Sequence, residues 1–195
     1  LSYFSNNVYG IPHDQVLKVP NDYASIQLAL NNSFGGDTIL VGPGIYEENL
    51  TWPQQNNITL ISENGRDSTI IDGAPCDWDF DNCYDPIYAS VIYVGNGQQN
   101  VHINGFTIKN GYGSPATFNN NRFGGGILID ENVSAVVESC IISDNGNNNC
   151  KGSAVFVSYG SAVSLEKCII RSNEGEDGTV YFRSHLAEGL IKQCI

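Results

Sequence analysis

The clearest pattern along the chain is a recurring arrangement of short apolar runs separated by Gly, Asn and Ser. GGGILIDENVSAVVESCIISDN (124–145), shifted by 28 residues, falls on GSAVFVSYGSAVSLEKCIIRSN (152–173). Ile127 then meets Val155, Ile129 meets Val157, Cys140 meets Cys168 and Asn145 meets Asn173. A further shift of 26 brings in GTVYFRSHLAEGLIKQCI (178–195), placing Val180 on Ala154, Phe182 on Phe156 and Cys194 on Cys168. A looser copy is VIYVGNGQQNVHINGFTIKN (91–110), with Phe106-Thr-Ile in the place of Cys-Ile-Ile. Each copy holds two or three runs of β-branched and aromatic residues bounded by turn formers, which predicts strands without helices.

A period just under thirty residues with only strands inside it predicts an all-β fold, a right-handed single-stranded parallel β-helix with three short strands per coil. Coils then stack at ~4.8 Å, the spacing of paired strands. Equivalent residues form ladders: Ile142 over Ile170, Val155 under Tyr181, and Asn145 over Asn173 bonded amide to amide at a corner that tolerates left-handed backbone. A leucine-rich repeat would require L-x-x-L-x-L spacing, which is absent, and a β-sandwich would not echo at 28 residues. Before the coils, Tyr23–Asn31 carries Ile26 and Leu30 at i, i+4, a short N-terminal capping helix with Asn21 or Asp22 as its cap. Residues 1–16 match no coil and are read as an N-terminal arm; 17–195 form the β-helix domain.

VPNDYASIQLALNNSFGGDTILVGPGIYEENLTW (19–52) and NITLISENGRDSTIIDG (57–73), followed by GFTIKNGYG (105–113) and FGGGILI (123–129), resemble right-handed parallel β-helix repeat proteins of the pectin-lyase-like superfamily. The resemblance covers roughly 17–195 and implies the coil architecture. That superfamily spans polysaccharide lyases and hydrolases, adhesins and phage fibres, so the resemblance implies no single activity.

The formal net charge of −12 disfavours nucleic acid as a partner, because phosphate binding needs clustered Lys and Arg. It also disfavours anionic membrane surfaces, and no apolar run reaches the length of a membrane span, so no membrane insertion is expected. An acidic polysaccharide would be repelled unless a cation bridged the two. Six cysteines, an even count, suit an oxidising compartment, and the expected location is secreted or at the cell surface.

The sharpest local feature is CDWDFDNCYD (76–85). Asp77, Asp79, Asp81 and Asp85 stand at positions 1, 3, 5 and 9 of a loop whose alternate carboxylates converge on calcium in other proteins. Asn82 stands where Gly makes the usual turn, and Tyr88 replaces the bidentate acid at position 12. Cys76 and Cys83 bracket the loop as a candidate disulfide. The plainer alternative is a solvated, cystine-stapled surface loop over Trp78 and Phe80. Cys140, Cys168 and Cys194 form a stacked ladder of small apolar side chains, with the pairing of these and Cys150 left open.

Candidate catalytic groups are dispersed. Asp130, Glu138, Glu166 and Glu188 point outward, with Glu138 over Glu166 and then Lys192, a ladder of solvated charges in preference to an acid–base dyad. Arg171 and Arg183 lack a carboxylate cluster, and His13, His102 and His185 lie far apart in sequence. His102 is expected on an outward surface and Tyr159 beside His185. Sequons occur at Asn31, Asn49, Asn57 and Asn132, with Asn31 and Asn49 the expected accessible N-glycosylation acceptors.

At the far end, KQCI closes in mid-coil with apolar ladder residues, so continuation of the chain or self-association is expected there. The leading functional expectation is a non-catalytic secreted or cell-surface module with a structural, adhesive or filament-forming assembly role. The alternatives are a polysaccharide lyase or glycoside hydrolase, with its site in further coils or in GYGSPATFNNNRFG (111–124), and a glycan-binding module stacking sugars on Trp52, Trp78 or exposed Tyr.

Overall fold

The computed structural model describes residues 13–73, 89–95, 97–115, 122–183 and 187–195. The chain is a right-handed parallel β-helix with three parallel sheets stacked along it. The first sheet has seven strands, Val16–Val19, Thr38–Val41, Thr59–Ser62, Val101–Asn104, Ser134–Glu138, Ala162–Glu166 and Glu188–Lys192, in chain order. The second has five: Gly44–Glu47, Thr69–Asp72, Thr107–Lys109, Ile141–Ser143 and Ile169–Arg171. The third also has five: Leu50–Thr51, Ile92–Val94, Ile127–Ile129, Val155–Val157 and Val180–Phe182.

Period-2 alternation in each strand sends one set of side chains into the cylinder. Leu17, Ile39, Leu60, Ile103, Val137 and Leu165 are in register along the first sheet and buried. Ile71, Ile108 and Ile142 continue the core along the second, with Ile142 paired to Ile170 as expected. Between these two sheets lies a two-residue corner whose first residue is left-handed in successive coils: Gly105, Ser139, Lys167 and Gln193. The next residue points inward, and the series there is Phe106, Cys140, Cys168 and Cys194. The backbone bonds from Ile169 N to Cys140 O (2.9 Å) and from Ile195 N to Cys168 O (3.0 Å) place these cysteines on adjacent coils.

After the second sheet, Asn145 Nδ2 donates to Asn173 Oδ1 at 3.0 Å, the amide ladder expected from sequence. The left-handed residues at this corner are Asp144 and Ser172, one position earlier than expected, which frees Asn145 to turn its amide inward. Asn145 also donates to Ile108 O (3.0 Å) and accepts from Gly111 N (2.9 Å), so it clamps three coils.

The 26-residue shift holds in the first sheet, where Ala162 pairs with Glu188, but not in the third. There Val155 pairs with Val180, Phe156 with Tyr181 and Val157 with Phe182, a shift of 25. The expected pairs Val180 on Ala154, Phe182 on Phe156 and Val155 under Tyr181 are therefore each displaced by one. The segment from Gly178 to the strand is one residue shorter than its predecessor, and the following turn is one longer. A one-residue slip exchanges inward and outward side chains, so burial of Val180 and Phe182 decides the register.

The capping helix spans Ile26–Asn31, shorter than expected, and its N-cap is Ser25, whose hydroxyl accepts from Leu28 N at 3.1 Å. Asp22 instead accepts from Lys18 N (3.0 Å), closing the preceding turn. The Glu48 carboxylate, from the next coil, accepts from Ile26 N (2.9 Å) and Gln27 N (2.8 Å), satisfying helix donors left without intrahelical partners. Ile26, Ala29 and Leu30 close the core end. Buried Asp37 accepts from His13 Nδ1, Gln15 N and Phe34 N at 2.8–2.9 Å, fixing the first rung.

A fourth, lateral sheet joins Ser114–Pro115, Arg122–Phe123 and Cys150–Lys151, with the first pair antiparallel and the second parallel. Gly125 lies beneath it, so close to the adjacent coil that a Cβ would overlap Ser153 O and stand 2.5 Å from Gly146 N.

Two substitutions test this packing in urea denaturation with the slope unchanged. Gly125→Ala forces two backbones apart and is expected to cost about 3 kcal/mol. Asn145→Ala strands the buried Gly111 N–H and is expected to cost about 2 kcal/mol.

Candidate functional site

The outer face of the first sheet concentrates the polar chemistry of the described residues. Outward positions align as one ladder of His102, Val136, Ser164 and Leu190, and a second of Asn104, Glu138, Glu166 and Lys192. Beside the first runs the row Ser134, Ala162 and Glu188. Asn100, Ser134, Ser164 and Glu188 line a groove of about 370 Å³ with an aliphatic floor of Val136, Ala162 and Leu190, and the Glu138–Glu166–Lys192 ladder runs along the same face. Its polar groups are held in place: Asn100 N donates to Ser134 Oγ (2.8 Å), Asn100 Nδ2 to Asn57 Oδ1 (2.7 Å), and Ser164 Oγ to Glu166 Oε1 (2.8 Å).

The two stacked carboxylates beside the groove, Glu138 and Glu166, are individually paired. Lys167 Nζ donates to Glu138 Oε1 at 2.8 Å, and His102 Nε2 lies 3.6 Å from the other oxygen. Lys192 Nζ stands 3.3 Å from Glu166 Oε1. Hydrogen bonding from Lys167 holds the Glu138 carboxyl below its ordinary value. The Ser164 hydroxyl, then Lys192, does the same for Glu166. An acid–base dyad requires one member pushed upward. Both members here are pushed downward, so the stacked pair is a row of fixed anions neutralised by lysines. His102 faces outward as expected, against Glu138.

A second concavity of about 400 Å³ lies under the loop 63–68, which straps across later corners. Arg66 Nη1 donates to Lys167 O (2.9 Å), and Thr107 Oγ1 donates to Arg66 O (2.8 Å). Both contacts are structural. On the third sheet Phe156 points outward yet is buried, tilted against Phe123 with centroids 4.6 Å apart and stacked on Tyr181 at 5.5 Å. Arg183 lies 4.8 Å over Tyr159. This aromatic layer was not legible in the repeat, which shows the apolar residue but not the lateral sheet that covers it.

The other expected residues fall in several places. Asp77, Asp79, Asp81, Asp85, Cys76, Cys83 and Trp78 lie outside the described residues, as does His185. No group of three or more potential metal ligands occurs among the described residues. Trp52 is buried in the core and offers no face to a sugar, which removes it as a stacking platform. Asn31, Asn57 and Asn132 are exposed, whereas Asn49 is partly covered, with Nδ2 donating to Ser90 O at 2.9 Å.

Cys140, Cys168, Cys150 and Cys194 are free thiols. Cys150 does not reach the ladder; its sulfur packs against Gly113 in the lateral sheet, and burial pushes its thiol up to about 11. Within the ladder, Cys194 Sγ accepts from Cys168 N at 3.4 Å, so each sulfur sits against the coil before it: Cys168 Sγ lies 3.5 Å from Val137 O, and Cys194 Sγ 3.4 Å from Leu165 O.

The arrangement of coils recurs in solved structures. A pectin methylesterase mutant in complex with a hexasaccharide matches with a TM-score of 0.56 at 17% identity, over 83% of this chain and 49% of that one. The deglycosylated pectin methylesterase from Aspergillus niger matches with a TM-score of 0.53 at 16% identity, over 95% of this chain and 68% of that one. This chain thus spans about half the length of the first enzyme. No protein-family model and no curated protein matches it. At such identities the likeness is one of fold.

The charge ladder has a pH signature. A carboxyl whose folded value is depressed contributes stability above its unfolded value, and that contribution is lost as pH falls through the folded value. Lys167→Ala is therefore expected to lower the thermal midpoint slightly at pH 7 and low salt. The difference should shrink as pH falls through the depressed folded value of Glu138, and high salt should shrink it too.

Proposed function

We propose that this chain is a non-catalytic, secreted or cell-surface β-helix module with an adhesive role, whose first-sheet groove binds a neutral or esterified polysaccharide. The observation that carries this reading is the groove itself. It sets an aliphatic floor of Val136, Ala162 and Leu190 among hydroxyl and amide groups and the Glu188 carboxylate, with the lysine-paired Glu138 and Glu166 alongside. Sugar rings present an apolar C–H face and a hydroxyl rim, and this surface offers a counterpart to each. Successive strands repeat the pattern at coil spacing, which suits a polymer. The overall charge of −12 disfavours unesterified uronate polymers.

A second reading, a carbohydrate-active enzyme, draws on the likeness to pectin methylesterases, one of them bound to a hexasaccharide. The downward shift of Glu138 and Glu166 speaks against that stacked pair as its acid–base dyad.

Binding isotherms against neutral, methyl-esterified and unesterified polysaccharides, run with assays for released methanol, reducing ends and unsaturated products, separate the two. Saturable binding to a neutral or esterified polymer without turnover is expected, weakened at least tenfold by Val136→Asp and unaffected by Tyr159→Ala. Turnover of any polymer would favour the enzyme reading. Absence of binding across the panel would overturn the adhesive one.

A further inference from the structure

The corner between the first and second sheets takes two residues at Gly42-Pro43, Gly105-Phe106, Ser139-Cys140 and Lys167-Cys168. Between Thr59–Ser62 and Thr69–Asp72 it is the strap 63–68 instead. Two residues suffice for the turn, so winding does not account for the longer corner. The strap is also fixed in shape. Gly65 N donates to Ser62 Oγ (2.9 Å), and Ser68 Oγ to Asn64 O (3.1 Å). With Thr107 Oγ1 on Arg66 O and Arg66 Nη1 on Lys167 O, it leans over the corners of the next three coils.

The hollow beside the strap, about 400 Å³, holds polar groups that the fold does not use. Asn64 and Asp67 are exposed and Asn104 and Ser139 half-buried, and none of these four side chains is hydrogen-bonded among the described residues. Arg66 spends one N–H on Lys167 O and leaves its other donors free for a ligand. The charges of the lining balance, Arg66 against Asp67 and Lys167 against its partner Glu138. Such a lining suits an uncharged ligand rich in hydroxyls, each of which both donates and accepts.

Its position relative to the groove narrows the ligand further. The groove runs along the helix axis, because its lining comes from the same rows on successive coils. The strap hollow lies to one side, beyond the Glu138–Glu166 ladder, and Ser139 stands about 10 Å along the strand from Val136. A main chain laid in the groove passes the hollow by; a substituent projecting sideways from it enters.

We propose that the strap hollow is a subsite for a short neutral side chain of a branched polysaccharide, an inference that rests on reading the groove as the site of the main chain. The groove floor takes the apolar faces of the main-chain sugars. Asn64, Asn104, Ser139, Asp67 and the spare N–H groups of Arg66 take the hydroxyls of the branch. Because the strap is already pinned at both ends and to later coils, little ordering is left to oppose binding.

The test measures binding isotherms for soluble branched oligosaccharides of galactomannan, xyloglucan and arabinoxylan, beside the same backbones without side chains. At least one branched ligand is expected to bind about tenfold more tightly than its bare backbone. Asn104→Ala removes a side chain that bonds to nothing in the fold, so folding is not at risk, and it should bring the branched ligand down to the affinity of the bare one. Arg66→Ala should do the same, whereas Val136→Asp should weaken both forms together. Bare backbones that bind as tightly as branched ones, or a preference for branches that survives Asn104→Ala, would overturn the subsite and leave the groove reading standing. Failure of every ligand to bind would overturn both.

Discussion

Everything in this fold depends on the parallel hydrogen-bond ladder that ties each strand to the one a coil away. The ladder fixes register to the residue, because alternate side chains must enter the cylinder and a slip by one would empty the core. It leaves the length of a coil free. Along the first sheet, the step from Val16 to Thr38 is 22 residues, from Thr38 to Thr59 is 21, from Thr59 to His102 is 43, and from His102 to Val136 is 34. Only the last two steps, 28 and 26, resemble a repeat. Added length is carried between sheets, where backbone groups meet water or a lateral strand such as Arg122–Phe123.

The same stacking dictates what the outer faces can carry. Like charges at coil spacing repel by about 1 kcal/mol even in water, and more near protein. Glu138 above Glu166 is therefore tolerated only because Lys167 and Lys192 each supply a cation. The neutralisation removes the proton-transfer potential of the pair and leaves fixed dipoles beside an aliphatic floor.

How much of this was legible depends on whether neighbouring coils share their turns. Residues 124–173 have equal turns, so the pairings of Ile127 with Val155, Ile142 with Ile170 and Asn145 with Asn173 follow from a single shift. The displaced register of Val180–Phe182 did not, because a one-residue loss and a one-residue gain cancel within the coil, and a global shift cannot detect them. The helix start was misplaced because three polar residues compete for one cap, and Glu48, which adds to the capping of that end, lies a coil away. Trp52 was offered as a sugar-stacking platform because its strand lies outside the clear repeat; the pairing of Leu50 with Ile92 puts it inside. The outward charge ladder, Lys192 included, followed from alternation, but the partner Lys167 did not, since it sits at a corner where only the backbone trace decides its reach.

The cysteine corner joins these threads. Its first residue is left-handed in each coil, so the next side chain must point inward and fill the angle between two sheets. Phe106 does so by bulk. A thiol does so while also donating to the carbonyl two residues back: Cys140 to Glu138 O at 3.2 Å, Cys168 to Glu166 O at 3.4 Å, and Cys194 to Lys192 O at 3.4 Å. Alanine or valine would fill part of the space without that contact, but the carbonyl would keep its backbone donor, Gly105 N, Ser139 N or Lys167 N, so the corner alone does not single out the thiol. Its repetition is what brings sulfur over sulfur.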